Sequence, residues 1–312
     1  MKRAPVAACV GAVIVAVTAA GCTANHQPDS ATHAPKGIAA QNSRTQGREL
    51  TDAEQILLQR AEALLVKKCM ENKGFKYWVG WLPTVDDLKG DGYVLTDVDW
   101  ARKHGYGSRL KSKLQNVQRD DPNNAYANAL PQNERVRYSK ALEGGPSSGM
   151  LTAELPTGGT VQTPRDSCQA DAKNRLYGDF ATWFRVEKTA TNLSSLYVPD
   201  LVKDKRFVHA VEEWSACMRK AGHNFADPPA VRRQLPRLTQ GLSAKKANAV
   251  EVELAVSEAT CATRTPLSDT AHALETEYRD RKLRRYAKAI TTYQRMSLLA
   301  LQRAKDITGS TA

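Results

Sequence analysis

Cys69-Met70-Glu71-Asn72-Lys73-Gly74-Phe75-Lys76-Tyr77 and Cys217-Met218-Arg219-Lys220-Ala221-Gly222-His223-Asn224-Phe225 spell one pattern twice, C-M-x3-G-x-x-[YF]. Each copy stands where an amphipathic run stops. The cysteine falls in the last helical turn, the glycine supplies the left-handed residue that ends a helix, and the aromatic beyond it folds back over the helix end. Ahead of the first copy, Thr51-x-x-Glu54 is a capping box, followed at helical spacing by Ile56, Leu57, Ala61, Leu64, Leu65 and Cys69. Ahead of the second, the run from about Asp204 to Ala221 carries a stripe of Phe207, Val211, Trp214 and Met218. The pattern therefore predicts two helices with the same stop, as in a weak internal repeat with halves of about 50–190 and 191–312.

Working outward, most of the remaining chain also reads as helix. Thr96 starts a short one with Trp100 on its buried side and Gly105 at its end, and Pro131 suits the first turn of another reaching about Leu142. The stretch 166–188 is helical in pattern, weakened by Gly178. Ser243 caps a helix whose Ala247, Val250, Leu254 and Cys261 share a face. From Ser268 to Asp306 there is no glycine or proline, which predicts one long helix or a hairpin arm. Strand candidates are few: Tyr93–Leu95, and a hairpin in Leu151–Thr163 around Gly158-Gly159. The predicted fold class is mainly α with minor β, stapled by disulfides and ending in a long C-terminal helix.

The cysteines support that frame. Each C-M helix end has a later cysteine on another helical segment, Cys168 and Cys261. Four cysteines admit three pairings, and the repeat favours Cys69–Cys168 with Cys217–Cys261, because each bond then staples its own helix to the next. Each closure would stabilise the fold by about 4 kcal/mol in the chain-entropy treatment. Metal binding is the poorer reading, since no C-x-x-C or Cys/His cluster stands at ligand spacing.

Paired cysteines belong in an oxidising compartment, and the N-terminus gives an address that agrees. Lys2 and Arg3 precede an apolar run, Val6 to Ala20, that falls short of the roughly 20 residues a membrane-spanning helix needs. It closes on Ala19-Ala20-Gly21-Cys22, with small side chains where a signal peptidase cuts. Residues 1–21 resemble a bacterial lipoprotein signal, which makes Cys22 the lipid-bearing N-terminus of the mature chain. Secretion with cleavage at another small residue is the rival. Loss of Lys2 and Arg3 leaves 43 basic against 33 acidic residues, a net charge of +10. Residues 22–49 are polar and aperiodic, unable to bury enough surface to offset their ordering entropy. They read as a flexible tether of about 30 Å r.m.s. reach, joined to an α-rich extracytoplasmic domain over 50–312.

The duplicated helix ends, together with the Asp97–Gly107 segment, Asn124-Ala-Tyr126 and Tyr138-x-x-Ala-Leu-x-Gly144, resemble a family of exported actinobacterial lipoproteins over most of residues 55–265. The resemblance implies an envelope location and a two-disulfide pattern. It implies no activity, cofactor or catalytic residue.

Candidate chemistry fares poorly against plain alternatives. Gly145-Pro-Ser147-Ser-Gly149 fits G-x-S-x-G formally, but a nucleophile elbow needs a strand before the serine and a helix after it; here a flexible loop is expected. His209-x-x-Glu212 and His272-x-x-Glu275 are pairs that any charged helix produces by chance, and no H-E-x-x-H occurs. Asp86, Asp87, Asp91, Asp97 and Asp99 lack the spacing of a calcium loop and suit a solvated loop and a helix N-terminus. Trp78 and Trp81 are candidates for a ligand-binding lip, with core burial the favoured reading. Arg279, Arg281, Lys282, Arg284, Arg285 and Lys288, then Arg295, Arg303 and Lys305, make the C-terminal segment basic. A solvated helix face explains them, and attraction to anionic headgroups or wall polymers is the functional alternative.

No cofactor is expected, and nucleic acid is a poor partner for an exported chain. The expectation is a lipid-anchored, non-enzymatic module that binds a wall component or another envelope protein. The alternative is an extracytoplasmic hydrolase using Ser147 or an unrecognised carboxylate pair.

Overall fold

The capping box forms at Thr51, whose hydroxyl accepts the Glu54 amide while the Glu54 carboxylate receives the Thr51 amide. It opens helix α1, Asp52–Asn72. The structure is a computed structural model that describes residues 47–309 apart from Asp91. The signal segment 1–21, Cys22, the tether as far as residue 46 and Asp91 lie outside the described residues.

After α1 come α2 (Val85–Leu88), α3 (Val98–His104), α4 (Ser108–Arg119), α5 (Pro122–Ala129) and α6 (Gln132–Glu143). Strands β1 (Met150–Glu154) and β2 (Thr160–Pro164) pair antiparallel, with Thr152 opposite Gln162. Next are α7 (Cys168–Tyr177), α8 (Phe180–Ala190), α9 (Val198–Leu201), α10 (Lys205–Lys220), α11 (Pro228–Leu238) and α12 (Ala244–Arg264). Last are α13 (Leu267–Lys282) and α14 (Ala287–Thr308). The fold is mainly helical with one small sheet.

The repeated pattern is a repeated helix stop. At the end of α1, Phe75 donates its amide to the Met70 carbonyl and Gly74 to that of Glu71, both at 3.0 Å. At the end of α10, His223 donates to Met218 at 2.8 Å and Gly222 to Arg219 at 3.0 Å. These are two Schellman motifs, and each depends on a glycine at positive φ, +84° for Gly74 and +90° for Gly222. Met70 and Met218 are fully buried. In the first copy the aromatic that closes over the stop is Phe75, directly after the glycine, whereas Tyr77 is half-buried; in the second it is Phe225. The disulfides are Cys69–Cys168 and Cys217–Cys261, with Cα atoms 5.5 and 5.7 Å apart. Each pins the last turn of a repeat helix, to the start of α7 and to the late turns of α12 respectively.

Three expectations about elements are corrected. Tyr93–Leu95 forms no strand; the Leu95 amide is taken by the buried carboxylate of Glu258 rather than by a neighbouring strand. The 166–188 run breaks at Gly178 (φ +94°) into α7 and α8. The expected long C-terminal helix is α14, of 22 residues, but the 268–306 run as a whole is neither one helix nor a hairpin arm. It turns through Arg284–Tyr286, so that α13 packs on α10 and α14 crosses to α1, α7 and α8.

The packing also departs from the halves 50–190 and 191–312. One core gathers Leu58, Leu65, Met70 and Leu176 with Ala300 and Ala304 of α14, and a satellite beneath the hairpin joins Leu151, Trp183 and Phe184 to Met296. The other core gathers Trp214, Met218, Leu254 and Leu274 with Leu95, Trp100 and Tyr106 from the first half. Each half lends the other a segment.

Candidate functional site

Gly178 does more than end α7. Asp179 caps α8 by accepting the Thr182 amide, and the Asn174 side chain accepts the Phe180 amide. The resulting tight corner sets Tyr177, the last residue of α7, flat against Trp183 in α8: ring centroids are 3.6 Å apart and the planes differ by 4°. Tyr293 of α14 stacks on Trp183 at 5.0 Å and 24°. Arg303, also on α14, donates to the Leu176 carbonyl at 2.8 Å and holds the end of α7 in place. The order is therefore Tyr177, Trp183, Tyr293, drawn from three helices.

This stack forms part of a cleft of about 410 Å³ between α1, α7, α8 and α14, within the range of small-molecule sites. Phe180 and Phe184 complete the apolar wall, and Asp52, Gln55, Gln59 and Glu62 of α1 face it. Two ion pairs sit at the cleft, Glu62 with Lys173 and Glu187 with Lys188 at 3.1 Å. The Lys188 ammonium also lies 5.8 Å from the Phe184 ring centre. Burial pushes the Tyr177 phenol well above its ordinary pKa and raises that of Tyr293, so both stay protonated and neutral at physiological pH. No histidine lines this cleft; its polar lining is three carboxylates, Asp52, Glu62 and Glu187, two lysines, Lys173 and Lys188, and amide and hydroxyl side chains.

A second groove, about 730 Å³ and more open, runs between α4 and the start of α12. No aromatic residue lines it, α4 buries no side chain, and its one buried carboxylate, Glu251, is held by backbone amides.

Two carboxylates are buried among the described residues, Glu251 and Glu258 on α12. Glu258 accepts from the Leu95 amide (2.9 Å), the Arg232 guanidinium (2.8 Å) and the Tyr106 hydroxyl (2.8 Å). Glu251 accepts the amides of Tyr106 and Ser108 at 2.8 and 2.9 Å. Burial nevertheless raises the Glu258 pKa, opposed by Arg232 and by the Leu95 and Tyr106 hydrogen bonds. With this full set of donors the pair clamps the 93–108 segment onto α12 rather than facing a substrate. The signal was legible: Glu251 and Glu258 fall on the same apolar stripe as Leu254 and Cys261, where an unpaired carboxylate is costly.

The other sequence candidates are placed as follows. Ser147 is exposed on the turn Pro146–Ser148, after α6 and before β1, the reverse of the strand-then-helix order an elbow needs. His209 is 71% exposed and reaches Glu213 at 3.0 Å more closely than Glu212 at 3.8 Å. Glu275 accepts the Tyr197 hydroxyl and pairs with Arg279, and His272 is exposed. Asp86 pairs with Lys103 and His104, Asp87 accepts the amide of Thr84, the N-cap of α2, Asp97 caps α3 and Asp99 pairs with Arg102. No cluster of metal-ligand type occurs among the described residues.

The expected burial of the two tryptophans is corrected. Trp78 is 40% exposed, its backbone N–H and C=O both held at 2.9 Å by the Asn123 side chain, and Trp81 is half-buried under Lys113. Of the basic residues, Arg279 pairs with Glu49, Arg281 with Glu277 and Lys282 with Asp200. Among the described residues no helix is long and apolar enough to cross a membrane. Comparison with family models, with curated proteins and with solved structures found no match.

Proposed function

We propose that this chain is a non-enzymatic binding module, held by lipidated Cys22 on the extracytoplasmic face of a cell membrane, whose ligand seats in the aromatic cleft. The observation that carries the reading is the three-ring stack under a polar rim, with the carboxylates of Glu251 and Glu258 occupied elsewhere in clamping the fold. The polar run after Cys22, the two disulfides and the exported-lipoprotein resemblance favour an envelope setting. A wall component or another envelope protein fits that setting as partner; three of the nine basic C-terminal residues, Arg279, Arg281 and Lys282, are engaged in internal ion pairs.

Two measurements test this. Radiolabelled palmitate should enter the wild-type chain expressed in a lipoprotein-processing host and be absent from Cys22→Ala. The mature chain should be retained on isolated envelope fractions and lose that retention on Tyr293→Leu. Retention that ignores the cleft variant would move the site elsewhere, and no retention at all would end the binding reading.

A further inference from the structure

We infer that the aromatic cleft is a saccharide site, taking a pyranose unit of an uncharged or weakly charged oligosaccharide. This rests on the binding-module reading and gives that site a ligand class.

The stack itself excludes the commonest aromatic-site ligand, a quaternary ammonium or other cation. Cation cages need ring faces turned toward one point. Here Tyr177 and Tyr293 lie nearly parallel to Trp183, at interplanar angles of 4° and 24°, so the ring faces do not converge on one point. What the cleft offers is aromatic surface from Tyr177, Trp183 and Tyr293, with Phe180 and Phe184 beside it. Of the three acids at the cleft, Glu62 and Glu187 are already paired with Lys173 and Lys188, which leaves Asp52 as the one outside those pairs.

A wholly apolar ligand is excluded by the opposite wall. Asp52, Gln55, Gln59 and Glu62 stand on α1 across the cleft from the rings. Covering them with acyl chain would strip water from Asp52 and Gln59 and return no hydrogen bond, at a cost for each. The occupant must therefore present an apolar face to the rings and hydrogen-bonding groups around its edge. A pyranose has that shape: its axial C–H bonds form an apolar face, and its equatorial hydroxyls point outward in the ring plane. Planar amide and carboxylate groups such as those of Gln59 and Asp52 match vicinal hydroxyls two at a time. The neutral Tyr177 and Tyr293 phenols add donors that do not ionise at physiological pH.

The test uses the complete mature chain on an array of hexose, N-acetylhexosamine and uronate oligosaccharides, with calorimetry of any hit and parallel titrations with choline and palmitate. The expected result is saturable binding of at least one pyranose oligosaccharide, weakened by about tenfold or more in Tyr293→Leu and in Gln59→Ala, with no binding of choline or palmitate. Gln59 is exposed on α1, so its variant keeps the test valid if Tyr293→Leu folds poorly. Binding of choline or palmitate without any saccharide overturns the inference, as does saccharide binding indifferent to both variants. An empty array with cleft-dependent envelope retention overturns the saccharide assignment alone. An empty array with no retention overturns the binding module as well.

Discussion

Gly105 takes the chain past α12 at φ +62°, and a Cβ built there would lie 2.6 Å from Glu251 Cγ. Gly74 is also at positive φ, +84°, with nothing within 4 Å of its missing Cβ. Gly105 combines its φ with ψ −125°, outside the left-handed helical well, so a side chain there meets both backbone strain and the Glu251 carboxylate. Gly74→Ala should cost about 1 kcal/mol, the left-handed penalty alone, whereas Gly105→Ala should cost clearly more because the clamp carboxylate must move; urea unfolding of both variants checks the order. Arg232 supplies a second residue-scale test. Its removal as Arg232→Met leaves Glu258 without a cation in a fully buried site, a loss of about 3–5 kcal/mol near neutral pH. The sign of its pH dependence follows from the raised Glu258 pKa. The native state holds that proton more tightly than the unfolded chain does, so native stability from this group falls as pH rises through the raised value. The variant should therefore be least impaired in acid, where a neutral Glu258 needs no partner. A deficit that is flat between pH 5 and pH 8 would contradict the clamp.

Helix ends were the part of the fold most open to sequence reading, because a cap is chemistry between residues a few positions apart. Thr51 with Glu54, Ser243 and the two C-M-x3-G stops needed no knowledge of the tertiary fold, and each forms, with Phe75 in place of Tyr77 as the aromatic over the first stop. Leu283 shows where that reading ends. Nothing local stops a helix between Ser268 and Asp306, yet the chain turns there because Leu283 is buried in one core while Met296 and Ala300 belong to the other side of the molecule. The cleft was illegible for a related reason. Tyr177, Trp183 and Tyr293 share no period, and only the Gly178 corner and the crossing of α14 bring them ring on ring. At this scale the α1 cap makes a pH prediction. Arg48, hydrogen-bonded to Glu54, outweighs partial burial, and with the Thr51 amide it holds the Glu54 carboxyl at about 2 instead of 4.5. A depressed folded pKa contributes stability above the unfolded value and loses it as pH falls from 4.5 toward 2. Both partners are partly exposed, so the effect is small and screened by salt. Glu54→Gln should flatten this acid limb in thermal melts at low ionic strength, and high salt should bring the two proteins together.

The two disulfides respect the internal repeat, since each closes within its own half, at separations of 99 and 44 residues. The hydrophobic cores do not. Leu95, Trp100 and Tyr106 cross to the core built on α10 and α12, and Ala300 and Ala304 cross to the core built on α1 and α7. Sequence similarity between the halves could reveal a shared helix stop but not this exchange, which depends on which apolar surface each half lacks. The exchange makes the molecule indivisible at the repeat boundary. A fragment ending at residue 190 would expose the α1 and α7 faces that α14 covers, together with the 93–106 segment stripped of Glu251 and Glu258. A fragment from 191 would leave the Glu258 carboxylate without the Leu95 amide and the Tyr106 hydroxyl, and α14 without the helices it packs on. Neither should show a cooperative thermal transition alone, even with its own disulfide formed. Mixed, the two should recover helical circular dichroism and a single melting transition, because the missing segments are supplied in trans. Independent cooperative folding of either fragment would mean that the repeat, and not the exchanged core, is the folding unit.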